Sequence, residues 1–163
     1  MRLKISGIVN DSIVDGPGLR LAVFAQGCLH NCPGCHNPQT HDPSGGYYIN
    51  IDEIIDKARK NPLLSGITLS GGEPFMQVEA MSELAKKARV AGLNVIVYTG
   101  YTWEELVTNE GFMPLVNAAD YIVDGRFEID KRTLVIPFVG SENQRIVDVK
   151  RSFETGEVVI CEL

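Results

Sequence analysis

The chain alternates short strand-like runs with helical stripes, and this alternation restricts it to the α/β class. Residues 19–25 are apolar and β-prone and stop at Gln26-Gly27. Asn50, with Glu53 three residues on, has capping-box spacing, and Ile51, Ile54, Ile55 and Ala58 behind it share one helical face. Residues 66–69 read as a strand closed by Ser70-Gly71-Gly72. Val78, Met81, Leu84, Ala85 and Ala88 form a second helical stripe, stopped by Gly92. Residues 93–98 are continuously apolar, as in a strand covered on both faces. Thr102 and Glu105 have the spacing of another capping box, and residues 121–123 read as the next strand, closed by Asp124-Gly125. Repeated strand–helix units predict right-handed crossovers and a parallel sheet. A closed eight-stranded barrel takes about 250 residues, and this chain has 163. The expected fold is therefore a partial (β/α) barrel of parallel strands or an open sheet, as one domain over residues 1–163. Towards the end, residues 146–150 and 157–161 read as strands around Glu154-Thr155-Gly156, an expected hairpin.

The apolar fraction of 44% is ordinary for a globular protein. Fifteen basic against 21 acidic residues, a net charge of −6, argue against a basic nucleic-acid interface and against attraction to an anionic membrane. No apolar run approaches the roughly 18 residues of a membrane span, and residues 1–10 carry no long apolar signal core. A cytoplasmic protein with no nucleic-acid or membrane partner is expected. In such a reducing compartment clustered cysteines point to a metal or catalytic site rather than to disulfides.

Three of the four cysteines fall within eight residues, as Cys28-x3-Cys32-x2-Cys35. Soft sulfur ligands at this spacing suit zinc or an iron–sulfur cluster. Zinc in a structural role wants four ligands. Cys161 lies far along the chain in an expected strand and reads as a buried thiol, so His30, His36 or His41 would have to complete a zinc set. A four-iron cluster on three thiolates instead leaves one iron open to a further ligand. Spacing alone leaves both open. The other unusual residues also follow expected strand ends: Gly71-Gly72-Glu73-Pro74, Thr99-Gly100 and Asp124-Gly125-Arg126. Ligands of α/β folds bind at such ends. Gly71 and Gly72 let backbone approach a ligand, and Glu73 can accept from an ammonium group. The blander reading of that segment is a strand-to-helix turn with Glu73 at a helix start. Trp103 and the 78–88 stripe read as core, and His41 as a loop residue. No phosphate-cradling G-x-x-x-x-G-K-[ST] motif occurs.

The cysteine spacing together with Gly-Gly-Glu-Pro at a later strand end resembles the radical S-adenosylmethionine (SAM) superfamily. Val14-Asp15-Gly16-Pro17-Gly18-Leu19-Arg20 and Cys35-His36-Asn37 resemble the glycyl-radical-enzyme activases within it. Val123-Asp124-Gly125-Arg126-Phe127-Glu128 and Gly140-Ser141-Glu142-Asn143-Gln144-Arg145 are similar to the small activases that act on anaerobic ribonucleotide reductases. The resemblance spans nearly the whole chain. It implies that Cys28, Cys32 and Cys35 ligate a [4Fe–4S] cluster whose fourth iron takes SAM. It implies that Gly71, Gly72 and Glu73 hold the methionine end, and that the backbone around Gly34, Cys35 and His36 meets the adenine. For His36 a surface imidazole is the alternative. Larger activases carry Asp-x-Lys where Asp124 and Arg126 stand, so these residues are expected on the SAM or partner side of the pocket, or else in a salt-bridged turn. Residues 15–18 are expected as a rigid turn near the site.

The implied partners are the glycine-bearing large subunit of an anaerobic ribonucleoside-triphosphate reductase and a low-potential electron donor such as flavodoxin or ferredoxin. A wide, unclosed barrel would admit the partner's glycine loop. Competing readings are a small radical SAM enzyme of the deazapurine type, another glycyl-radical activase, a zinc-binding structural module, and an iron–sulfur redox carrier. The Asp-Gly-Pro-Gly and Asp-Gly-Arg-Phe-Glu runs favour the activase. The last two readings leave Gly-Gly-Glu-Pro unexplained.

Overall fold

Seven strands form one mixed sheet in the computed structural model, which describes residues 1–163. They are β1 (Arg2–Ser12), β2 (Arg20–Ala25), β3 (Tyr47–Asn50), β4 (Gly66–Gly71), β5 (Asn94–Tyr98), β6 (Tyr121–Asp124) and β7 (Arg145–Asp148), in the order β3-β1-β2-β4-β5-β6-β7. β2, β4, β5 and β6 run parallel, whereas β1 and β3 on one flank and β7 on the other pair antiparallel. The parallel expectation thus holds for the middle of the sheet and not for its flanks. The sheet is open, with β3 and β7 at its edges.

β1 and β3 were not expected as strands. Beyond Leu3 and Ile5, β1 carries Gly7, Asn10 and Asp11 and two register shifts against β2, so period-two alternation is lost. Pairing with neighbours on both sides holds it in the sheet.

Five helices connect the strands: α1 (Ile51–Arg59), α2 (Val78–Val90), α3 (Trp103–Val107), α4 (Met113–Ala118) and α5 (Val149–Thr155). The Thr102–Glu105 capping box forms as its spacing predicts. Asn50 caps α1 through the Asp52 N–H at 3.0 Å instead, and Glu53 is exposed. The expected C-terminal hairpin is replaced by β7 followed by α5. The Asp148 side chain accepts from Arg151 N–H and Gly156 closes the helix at φ +77°, so start and stop signals outweigh the apolar run. Residues 157–161 still return antiparallel to β7 through a bridge from Val147 to Ile160. Cys161 is partly buried and lies outside any strand, a correction to the buried strand thiol expected for it.

The two faces of the sheet differ. A 29-residue core, including Ile54, Met81, Leu84, Ala85, Ala88 and Trp103, packs helices on one face. Burying a side chain of the size of Met81 or Leu84 contributes roughly 1.5–3 kcal/mol. The other face carries a small cluster of Ile96, Val123, Val139 and Ile146 and leaves room for a cavity. No helix is long and apolar enough to cross a membrane.

Candidate active site

The cysteine loop leaves β2 and is tied at both feet. Gly27 N–H donates to Thr40 O at 2.6 Å and Cys28 N–H to His41 O at 3.1 Å. The buried Gln26 amide donates to Gln39 O and Asp42 O. Within the loop, Cys35 N–H reaches Cys32 O at 3.2 Å and Asn37 N–H reaches Cys35 Sγ at 3.4 Å. Backbone N–H bonds to sulfur are one lever on an iron–sulfur centre.

Cys28, Cys32 and Cys35 are all half-buried free thiols and line one cavity of about 950 Å³ with Gly71, Gly72 and Thr99. Burial pushes the Cys28 and Cys32 thiols above their ordinary value. Three thiolates around an open cavity fit a four-iron cluster.

Beneath the cavity, Glu73 is 1% exposed. Its carboxylate accepts from Phe75 N–H at 3.0 Å, Gly100 N–H at 2.8 Å, Thr99 Oγ1 at 2.9 Å and His30 Nε2 at 2.6 Å. His30 sits between Cys28 and Cys32, and Arg126 Nε donates to its Nδ1 at 3.3 Å. That pattern is the tautomer protonated at Nε2. The imidazole also meets Tyr101 edge-on at 4.7 Å. A Cβ on Gly100 would stand 2.5 Å from His30 Cδ2, so glycine makes room for the ring. At Gly71, φ is +101° and a Cβ would strike the Ala25 backbone, so glycine is needed where β2 and β4 end together. One imidazole thus joins the cysteine loop to the ends of β4, β5 and β6.

The remaining sequence-selected residues are dispersed. Glu73 lies beneath the cavity lining, with protein donors on its carboxylate. His36 lines the cavity and tilts on Phe127 at 4.9 Å. Gly34 is exposed at the loop tip beside Ile129, away from the cavity lining. Asp124 is buried, accepts from Trp103 N–H at 2.7 Å and pairs with Arg145 at 2.5 Å. Arg145 also holds Glu104 at 2.7 Å. Asp124 and Arg126 border a second cavity of about 590 Å³ with no hydrophobic residue in its lining.

The 14–20 segment is braced from inside. Arg20 is fully buried and donates to Thr68 Oγ1 at 2.8 Å and Ile67 O at 2.9 Å, while Thr68 Oγ1 donates to Asp15 O at 2.7 Å.

Sequence reasoning missed the β6–β7 connection as a cavity wall. Leu134, Ile136, Pro137 and Phe138 line it. Tyr98 Oη donates to Phe138 O at 2.7 Å, and the Gln144 amide spans Gly140 N–H and Gly125 O. The available signal was an apolar Leu-Val-Ile-Pro-Phe run inside a stretch that had to be a loop.

The model of the 4Fe-4S single cluster domain matches residues 14–147. The anaerobic ribonucleoside-triphosphate reductase-activating protein of Salmonella typhi is 36% identical over 140 residues, covering 81% of this chain and 90% of its own. Its counterpart in Enterobacteria phage T4 is 32% identical over 139 residues, 82% of this chain and 86% of its own. The pyruvate formate-lyase-activating enzyme of Clostridium pasteurianum is 35% identical over 113 residues, 64% of this chain and 48% of its own length. With similarity that runs through the cysteine loop and the strand ends around it, the chain belongs to the family of anaerobic ribonucleoside-triphosphate reductase-activating proteins.

Proposed function

We propose that this chain is a radical SAM activase that installs a glycyl radical on an anaerobic ribonucleoside-triphosphate reductase. One observation carries the reading: three thiols of one tied loop and the Gly71-Gly72 strand end line the same cavity. When bound, a [4Fe–4S] cluster and SAM supply the reductive cleavage of the C5′–S bond and the hydrogen abstraction that leaves a glycyl radical on the partner.

The protein's own residues bind, orient and shield. Cys28, Cys32 and Cys35 would hold the cluster, and the cavity they line would leave room beside it for SAM. The Gly71 and Gly72 backbone takes the methionine end of SAM. Glu73 acts from below, setting the strand end and the Thr99–Gly100 backbone through its own hydrogen bonds. The Cys35 backbone and His36, which line the cavity, would take the adenine side, with Gly34 at the loop tip outside the lining. Asp124 fixes the β6 end through Arg145, and Arg126 steadies the loop through His30.

In this reading residues 1–163 act as one domain, and the open sheet is a partial barrel whose unclosed side admits a polypeptide. A low-potential donor such as flavodoxin or ferredoxin supplies the electron, and the protein works in the cytoplasm.

The test is SAM cleavage by anaerobically reconstituted protein with dithionite, scored as 5′-deoxyadenosine, alongside the glycyl-radical signal on the reductase. Both should vanish in Cys28→Ala, Cys32→Ala and Cys35→Ala. Protein that binds zinc and no iron, or that keeps a four-iron cluster and cleaves no SAM with the reductase present, would overturn the reading.

A further inference from the structure

We propose that residues 126–129, which follow the end of β6, hold the cysteine loop in place and set the reduction potential of the cluster bound there. The proposal rests on the activase reading in taking Cys28, Cys32 and Cys35 as the ligands of a four-iron cluster. Arg126, Phe127 and Ile129 are then positioning residues, since each acts through the loop. Arg126 Nε donates to His30 Nδ1 at 3.3 Å, and the Phe127 ring tilts on His36 at 4.9 Å. Ile129 packs over Gly34, where any Cβ would clash with its Cδ1. His30 stands between Cys28 and Cys32, Gly34 between Cys32 and Cys35, and His36 directly after Cys35. The three contacts therefore alternate with the three thiols along the loop.

The segment is itself fixed by the turn that precedes β7. Asn143 Nδ2 donates to Arg126 O at 2.8 Å, and Glu128 N–H donates to the buried Ser141 hydroxyl at 3.2 Å. Gln144 Nε2 donates to Gly125 O at 2.9 Å. At Gly140 a Cβ would stand 3.1 Å from Phe127 Cδ1, so the ring lies close against that backbone. Residues 126–129 thus have bonded partners on the 140–144 side and the cysteine loop on the other.

The segment also brings positive potential to sulfur. Burial raises the Cys32 thiol above its ordinary value, whereas the Phe127 backbone and the Arg126 charge pull it back towards the thiolate. Arg145 is neutralised by Asp124 and Glu104, but Arg126 forms no ion pair. Adding an electron to a cluster adds negative charge, so an uncancelled cation beside a ligand favours the reduced form. Net charge and hydrogen bonds at the sulfurs are known levers on the potential of such centres. Arg126 supplies the charge, and Phe127 and Ile129 keep the loop against it.

The experiment uses the full chain reconstituted anaerobically with iron and sulfide. SAM is left out, so that no contact with SAM can produce the result. The midpoint potential is read by electron paramagnetic resonance during a redox titration, and iron loss is timed against a chelator. Arg126→Gln should make the cluster about tenfold harder to reduce, a shift of about 59 mV to more negative potential for one electron. Arg126→Lys, which keeps the charge, should stay within about threefold of the parent chain. The double variant Phe127→Ala with Ile129→Ser should lose iron at least about tenfold faster, as expected for loss of supporting contacts at a metal site. Arg126 and Ile129 are exposed, so their single variants should fold, and circular dichroism of the cluster-free chains checks each one. An unchanged potential in Arg126→Gln would overturn the proposal, and so would an equal shift in Arg126→Lys. Unchanged iron retention in the double variant would overturn the hold on the loop. A parent chain that takes up no four-iron cluster would sink the activase reading and this proposal with it, whereas a loaded parent with unshifted variants sinks the proposal alone.

Discussion

The floor and the rim of the cysteine cavity are built on opposite principles. Beneath the lining, which serves as the floor, buried polar groups are met by partners: the Glu73 carboxylate by His30, Thr99, Gly100 and Phe75, and the Arg20 guanidinium, under the 14–20 segment, by Thr68 and Ile67. On the rim, Ile13, Val14 and Leu134 have large apolar surfaces in water. A saturated polar network has few alternative arrangements, because each broken bond leaves a buried donor or acceptor unpaired. An exposed apolar tip loses nothing by moving and gains by being covered. The floor is therefore suited to holding a reactive centre still, and the rim to meeting another surface. Tyr98 links them, reaching from β5 to the Phe138 carbonyl.

The sharpest way to break the floor is Arg20→Met. It leaves Thr68 Oγ1 and the Ile67 carbonyl without their buried donor. We expect a loss of about 3 kcal/mol or more in urea unfolding of the cluster-free protein, with rim variants such as Leu134→Glu within about 0.5 kcal/mol. Equal losses would erase the distinction between the two regions.

A smaller and more selective effect is expected at His30. His30→Ala should lower iron retention against a chelator about 10- to 100-fold, as loss of a supporting contact does at metal sites. The cluster-free fold should lose about 1.5–3 kcal/mol, because the buried Glu73 carboxylate loses one of its donors. His30→Gln, whose amide can still donate to Glu73, should recover much of the retention. If both variants keep their iron like the parent chain, the clamp has no bearing on the cluster.

Tyr98→Phe tests the link, at a cost of about 1 kcal/mol. Burial raises the Tyr98 hydroxyl above its ordinary value of 10. Below pH 10 both states keep the proton. Above it the unfolded chain ionises first, so this contribution to stability falls as pH climbs. Unfolding curves at pH 9 and 10.5 should show a steeper alkaline loss for the parent chain than for Tyr98→Phe, and parallel losses would contradict the buried hydroxyl.

The smallest effect belongs to Glu104. Its hydrogen bond to Arg145 holds its carboxyl below the ordinary value of 4.5. That contribution is present above pH 4.5 and disappears as pH falls through the lowered value. With Glu104 at the surface, Glu104→Gln should change stability by only a few tenths of a kcal/mol, all of it gone in strong acid. An effect that persists unchanged at pH 2 would point to packing instead of charge.

Much of the helix-packed face was legible in advance. The stripe through Met81, Leu84, Ala85 and Ala88 is buried as its spacing predicts, because helical period alone decides which side chains share a face. The Thr102–Glu105 cap was equally local. β1 was not, because its polar half stays in the sheet only through neighbours recruited from residues 20–25 and 47–50. The hairpin expected at the end failed because Asp148 and Gly156 act as helix signals. Leu134 and Ile136 drew no expectation, because nothing local records that the chain path brings them into one cavity lining with Ile13 and Val14.

By itself, the sequence determined the α/β class, the cysteine loop and the glycine-bearing strand ends, because each follows from local spacing and backbone freedom. Only the tertiary structure decided that His30 joins Glu73 and Arg126, that Arg20 braces the 14–20 segment from within, and that Ile13, Val14, Leu134 and Ile136 line one cavity. Those pairings link residues 43, 96, 47 and about 120 positions apart. No local pattern records such separations, because the path of the folded sheet alone brings the partners within reach.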